Sequence, residues 1–184
     1  MRAFVAIDLP EEVTDALSDL TSVLPVGRSV PDDNLHLTLA FLGEQTEDQL
    51  EQLHQALEII QVQAFDLGFD GLGSFGGDAT KILFARIADS QALTDLHRKL
   101  RRAAHRAGII LPRERYRPHV TLARFGRGQQ WRDAERLQGF IATHASVTLP
   151  PFSVGGFSLF QSTLHPDGAI HQRLADYGFG PQVE

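Results

Sequence analysis

The feature that most constrains this chain is a four-residue pattern that occurs twice, as His36-Leu37-Thr38-Leu39 and again as His119-Val120-Thr121-Leu122. Each copy lies in an apolar run of strand character, residues 35–42 and 119–125, and side chains alternate between the two faces of a strand. His36 and Thr38 therefore share a face, as do His119 and Thr121. Two such pairs facing one cleft provide an acid, a base and a polar cradle of hydroxyls, which is equipment for phosphoryl chemistry.

The surrounding elements repeat a plan. Residues 3–9 alternate as a strand. Pro10-Glu11-Glu12 then opens a helix, with proline in the first turn and acids at the positive end of the dipole, and Val13, Leu17, Leu20 and Leu24 form its apolar stripe. After the first motif, Thr46-Glu47-Asp48-Gln49 has the form of a capping box for a helix reaching about Ile60. Strands are expected over 64–69 and 81–88, separated by a flexible loop at Gly71, Gly73, Gly76 and Gly77. A basic helix follows over 91–107, stopped by Gly108, and Pro118 holds Arg117 extended before the second motif. Beyond it the pattern suggests a short helix over 131–141 and strands over 146–149 and 152–160. Residues 169–179 read equally as extended or helical.

One His-Thr strand falls in each half, and no proline-rich or serine-rich linker divides them. The expected architecture is α+β, a single domain over residues 1–184 built of two intimately packed lobes. Each lobe is a strand-helix-strand repeat, with antiparallel sheets flanking a central groove.

The net charge of −6 conceals an uneven distribution. Residues 98–132 hold 11 of the 17 Lys and Arg and one acid, Glu114, giving +10 there and −16 elsewhere. Such focusing attracts an anion even to an acidic protein. The cluster from Arg98 to Arg106 reads as the solvated face of a helix, whereas arginines flanking the second motif read as functional. Cysteine is absent, so disulfides and thiolate metal sites are excluded. The apolar start ends at Asp8 and Pro10, too early for a signal peptide, and no run approaches bilayer length. The expectation is a soluble, cytoplasmic protein.

Histidine titrates near neutrality, so two in one pocket can begin in opposite protonation states. One takes a proton from a water or hydroxyl and the other gives one to the leaving oxygen, with a rate that rises and falls around neutrality. The other histidines carry less. His54, His97 and His105 read as surface or boundary residues, and His144, His165 and His171 lack the spacing of a zinc site. His165, in a turn, could border the groove. The glycines at 71–77 do not form a nucleotide P-loop. Phe4, Phe84 and Phe157 read as core, with stacking on a terminal base as the functional alternative.

Residues 34–44, Asn-Leu-His-Leu-Thr-Leu-Ala-Phe-Leu-Gly-Glu, and 117–124, Arg-Pro-His-Val-Thr-Leu-Ala-Arg, resemble the two signature motifs of the 2H phosphoesterase superfamily. The resemblance is in particular to the bacterial and archaeal RNA 2′,3′-cyclic phosphodiesterases, also called 2′-5′ RNA ligases. The N-terminal strand, the Gly71 to Gly77 segment and Leu159-Phe160-Gln161-Ser162 are also similar, whereas Phe84 and His171 stand where relatives often carry tryptophan and tyrosine.

The resemblance implies a bilobal fold with a groove and no metal or other cofactor. It also implies hydrolysis of RNA 2′,3′-cyclic phosphate ends to 2′-phosphomonoesters, reversible as 2′-5′ ligation. His36 is then the proton donor and His119 the proton acceptor, with Thr38, Thr121 and Arg124 on the phosphate. RNA ending in a cyclic phosphate is the expected partner, and two half-sites in one chain make a monomer sufficient. Three alternatives stand beside this reading: the same machinery acting on another cyclic phosphate or 2′-5′ linkage, a non-catalytic RNA-end binding module, and a metallohydrolase using the histidines as ligands.

Overall fold

The first strand, β1 (Arg2–Asp8), is buried on both faces, because its alternate side chains serve two different layers. Ala3, Val5 and Ile7 enter the main core, while Phe4 and Ala6 join Phe160 in a separate small cluster on the opposite face. The structure, a computed structural model, describes residues 1–76, 82–126 and 131–180. Gly77, Lys81 at the start of the strand expected over 81–88, and Arg127 of the basic stretch 98–132 lie outside the described residues.

From β1 the chain enters α1 (Glu11–Ser22), which buries Val13, Leu17 and Leu20. It continues through β2 (Arg28–Ser29), a 3-10 turn over Asp32–Asn34, and the first motif strand β3 (His36–Glu44). The capping box forms at the start of α2 (Glu47–Glu58): the Gln49 N–H donates to Thr46 Oγ1 at 3.2 Å and the Thr46 N–H to Gln49 Oε1 at 3.1 Å. Next come β4 (Phe65–Leu67), β5 (Phe69–Phe75) and β6 (Ile82–Ile87). Ser90 caps α3 (Gln91–Arg106), which leads to the second motif strand β7 (His119–Arg124). The chain ends with α4 (Trp131–Thr143), β8 (Phe152–Val154), β9 (Gly156–His165) and β10 (Gly168–Gly178).

The main sheet runs β10-β9-β1-β3-β7-β6-β5, with β2 beside β7. Every pairing in it is antiparallel. The order is symmetric about the β3/β7 junction: β1 on one side corresponds to β6 on the other, and β9 to β5. In sequence, β1-α1-β3-α2-β4-β5 is matched by β6-α3-β7-α4-β8-β9. The duplication is thus real, but each half of the sheet takes an outer strand from the other half of the chain, and β4 pairs with β8 across the pseudo-axis. Apolar faces of all four described α-helices enter one core with Leu37, Leu39, Val120 and Leu122. The other face of the sheet is left for chemistry.

Local reading errs where tertiary packing overrides it. The expected glycine loop is largely the strand β5, because a Cβ at Gly73 would lie 2.6 Å from Cζ of Phe84 on the neighbouring strand. Here glycine makes room for a cross-strand ring rather than a turn. Residues 146–149 are not a strand, and 152–160 divides at Gly155 into β8 and β9, which belong to different sheets. Residues 169–179 are extended in β10, where a register shift between Arg173 and Ala175 breaks the alternation that would have revealed a strand. The helix over 131–141 extends to Thr143 despite Gly139.

Candidate active site

The two motif strands meet through one antiparallel pair, Leu37 opposite Val120. Extending that register by one residue each way sets His36 beside Thr121 and Thr38 beside His119, all four on the face away from the helices. Leu37 and Val120 are fully buried and the four polar residues half-buried, as alternation demands. His36, Thr38, His119 and Thr121 are therefore brought together, each histidine neighbouring the other motif's threonine. Among the described residues neither threonine hydroxyl is hydrogen-bonded within the protein, so both are free to donate to a ligand.

Each imidazole is oriented by backbone two residues upstream. His119 Nδ1 lies 2.7 Å from the Arg117 carbonyl oxygen, so Nδ1–H donates there and Nε2 is left for chemistry. His36 is likewise engaged by the backbone of Asn34. Pro118 contributes by keeping Arg117 extended, which aims that carbonyl back at the ring.

Aromatic walls stand behind both rings. Phe4 stacks on His36 with centroids 4.9 Å apart, and Phe160 stacks on Phe4 at 5.1 Å. Across the junction, Phe84 and Phe75 lie 5.2 and 5.1 Å from His119 and stack on each other at 4.3 Å. Phe4 and Phe84 thus line the groove face, whereas Phe157 belongs to the main core against Tyr177. These walls exclude water, which disfavours imidazolium. Burial, with the charge of His171, holds the His36 pKa down at about 4 against smaller raising effects from Asn34 and Asp8. Burial also lowers His119, despite the Arg117 carbonyl. Both imidazoles are therefore held towards their neutral form in the free protein.

Arg124, at the end of β7, is exposed, and its charge helps to lower His36, His119 and His171 alike. Among the described residues no carboxylate pairs with it. Arg28 and Asn34 hold the far hairpin in place, donating to the carbonyls of Asp167 and Ala169. Behind Phe160 the guanidinium of Arg173, 5.0 Å from the ring centroid, binds Asp8 at 2.9 Å and Asp176 at 2.6 Å. These bonds push the Arg173 pKa up further, and Asp176, which accepts from the Ser158 hydroxyl at 2.6 Å as well as from Arg173, is held below its usual range.

Two groove neighbours, His171 and Phe75, and one core residue behind the motif strands, Tyr116, have no local signal in the sequence. His171 meets His36 edge-on at 5.3 Å and Phe4 at 4.8 Å, a contact made by β10 folding back on β9. Phe75 falls in the segment read as a loop. Tyr116, in the connector before β7, donates its hydroxyl to the Thr38 carbonyl at 3.0 Å and tethers one motif strand to the other's approach. The remaining histidines are elsewhere: His54 on the Tyr177 hydroxyl, His97 stacked on Tyr116 at 3.9 Å, His144 on the Phe140 carbonyl, and His105 and His165 exposed. Among the described residues no group of three or more His, Asp or Glu is placed to hold a metal ion, and no helix is long and apolar enough to cross a membrane.

A duplicated α+β fold that sets one His-x-Thr strand from each half side by side, hydroxyls and imidazoles on a common face, is that of the 2H phosphoesterases. The family model of the 2′-5′ RNA ligase superfamily matches residues 7–165, and the chain belongs to that superfamily. It is 28% identical to an RNA 2′,3′-cyclic phosphodiesterase of Archaeoglobus fulgidus, covering 95% of this chain and 98% of that one. The protein of the same name from Escherichia coli is 32% identical, over 88% of this chain and 87% of its own. Among solved structures, E. coli LigT complexed with 3′-AMP superposes with a TM-score of 0.78 at 26% identity, covering 97% of each chain.

Proposed function

We propose that this protein is an RNA 2′,3′-cyclic phosphodiesterase that opens terminal cyclic phosphates to 2′-phosphomonoesters by two-histidine acid-base catalysis. The observation that carries the reading is the Leu37–Val120 junction, which presents His36, Thr38, His119 and Thr121 on one half-buried face. The proteins named RNA 2′,3′-cyclic phosphodiesterase that it resembles over most of its length supply the substrate class.

In this mechanism water attacks phosphorus while Nε2 of His119 takes its proton. The P–O3′ bond breaks, and His36 protonates the departing 3′ oxygen, leaving a 2′-phosphate and a 3′-hydroxyl. Thr38, Thr121 and Arg124 hold the non-bridging oxygens, where charge grows in the transition state. The phosphate's own charge favours imidazolium and raises the depressed histidines on binding. With a 5′-hydroxyl in place of water as nucleophile, the same breaking of P–O3′ yields a 2′-5′ linkage. One chain holds both half-sites and works as a monomer in the cytoplasm.

The test is incubation of an RNA oligomer ending in 2′,3′-cyclic phosphate, in excess chelator, with chromatographic identification of the monoester. A 2′-phosphate is expected, and a 3′-phosphate would contradict the assignment of the leaving group. His119→Ala is expected to lower the rate by about 100- to 10,000-fold while RNA-end binding persists. Undiminished hydrolysis by that variant overturns the mechanism, and loss of activity in chelator favours a metallohydrolase.

A further inference from the structure

The outer surface of α3 carries a second cationic feature on the helix-covered side of the sheet, remote from the groove face. Arg98, Arg101, Arg102, Arg106 and Arg113 surround a hollow of about 590 Å³ whose apolar lining includes Ile109 and Leu111. A smaller hollow of about 270 Å³ lies towards α2, and Arg102 and Arg106 line both. These two arginines thus form a ridge between two depressions.

The ridge is electrostatically unspent. Arg98 is paired with Asp95 at 3.0 Å, Lys99 donates to the Gln61 carbonyl and Arg101 to that of Leu111. Arg102, Arg106 and Arg113 make no ion pair or hydrogen bond among the described residues. A merely solvated helix face has no need of concavity or of bare apolar side chains, yet here Ile110 is 89% exposed at one hollow and Ile59 is 68% exposed at the other. Positive charge suits the phosphates of a nucleic-acid strand, and the exposed isoleucines offer apolar contact beside it.

We infer that the Arg102–Arg106 ridge and its two flanking hollows bind single-stranded RNA away from its reacting end, the arginines meeting phosphates and Ile110 and Ile59 meeting bases. This rests on the proposed RNA substrate, since a polymer held by its terminus leaves the rest of its backbone to be accommodated. An anionic membrane would also meet arginines flanked by exposed isoleucines, and it is an outcome of the test below; RNA is favoured because the proposed substrate is itself an RNA polymer.

The test compares the parent with an Arg102→Glu/Arg106→Glu variant and its milder Arg102→Gln/Arg106→Gln counterpart. Binding is read by anisotropy on labelled RNA of increasing length, and turnover on a minimal nucleoside 2′,3′-cyclic phosphate. Affinity for long RNA is expected to fall about tenfold or more. The slope of log affinity against log salt should drop by roughly 0.7 for each phosphate that the variant no longer neutralises. Turnover of the minimal substrate should be unchanged. Equal affinity for long RNA in parent and variants, or loss only of binding to anionic phosphatidylserine vesicles, overturns the ridge proposal. Failure of the parent to open the cyclic phosphate of an RNA oligomer instead overturns the catalytic reading, so the two are separable.

Discussion

Leu37 stands opposite Val120 where the two motif strands join, and neither side chain is exposed to solvent. That pairing sets the register on which the site depends, because a slip of either strand by one residue would turn its histidine and threonine into the core and its apolar residues into the groove. The face that carries the two His-Thr pairs is in this sense a by-product of how the core is closed.

The pH dependence of kcat/KM reports groups in the free protein, and both groove histidines are depressed, His36 to about 4. The profile is expected to be a bell lying on the acid side of 6.5. Asp8, opposite His36 on β1, is the carboxylate that favours imidazolium there. Asp8→Asn lowers the His36 pKa further. If His36 is the donor, fewer molecules hold the proton it must give and the plateau rate falls. A plateau that keeps its height while the acid limb moves outward assigns His36 as the acceptor instead. Asp176→Asn, which cuts the same Arg173 pair away from His36, controls for the loss of that ion pair.

Arg124 acts on three histidines at once. Replacing it by Gln removes a positive neighbour, so their pKa values rise and the bell moves to higher pH. It also removes a charged hydrogen-bond donor worth roughly 1.5–3 kcal/mol to a phosphate oxygen. Inhibition by inorganic phosphate is expected to weaken by at least about tenfold, and unchanged inhibition would remove Arg124 from the phosphate site.

Gly73 lies beneath the Phe84 ring. In Gly73→Ala the new methyl displaces that ring from its place beside Phe75 and His119. The expected cost is about 1–3 kcal/mol, the usual range for overpacking, together with a lower kcat. In a Phe84→Ala background the same change should cost much less, which a double-mutant cycle by urea unfolding will read.

His97 stacks face to face on Tyr116, and burial with the charge of Arg101 holds its pKa at about 4. Folded His97 therefore resists protonation while the unfolded chain accepts it, so stability is full above the unfolded value of 6.5 and declines as pH falls towards 4. His36, His119 and His171 add in the same direction. His97→Phe preserves the stack and removes the titration. It should recover on the order of 1 kcal/mol at pH 5, after allowance for solvent screening, with little change at pH 7.5. Parallel melting-temperature profiles for the two proteins would refute this account.

The placement of the two motifs was legible from residues 34–44 and 117–124 because its determinants are local. Alternation along a strand places His with Thr, the adjacent leucines and valine declare the buried face, and the carbonyls that orient the rings come from two residues upstream. The repeat of strand, helix and strand was legible for the same reason: capping residues and apolar spacing act within a few residues of themselves. What only the tertiary structure decided is who stands around the histidines. Phe4, Phe84 and His171 reach the groove through pairings between β1 and β9, β5 and β6, and β9 and β10. Position 73 takes glycine because the Phe84 ring of the paired strand crosses it. The exchange of β5 and β9 between halves, and the burial that drives His36 to about 4, arise from packing between residues far apart in the chain, and that has no period that a linear reading can detect.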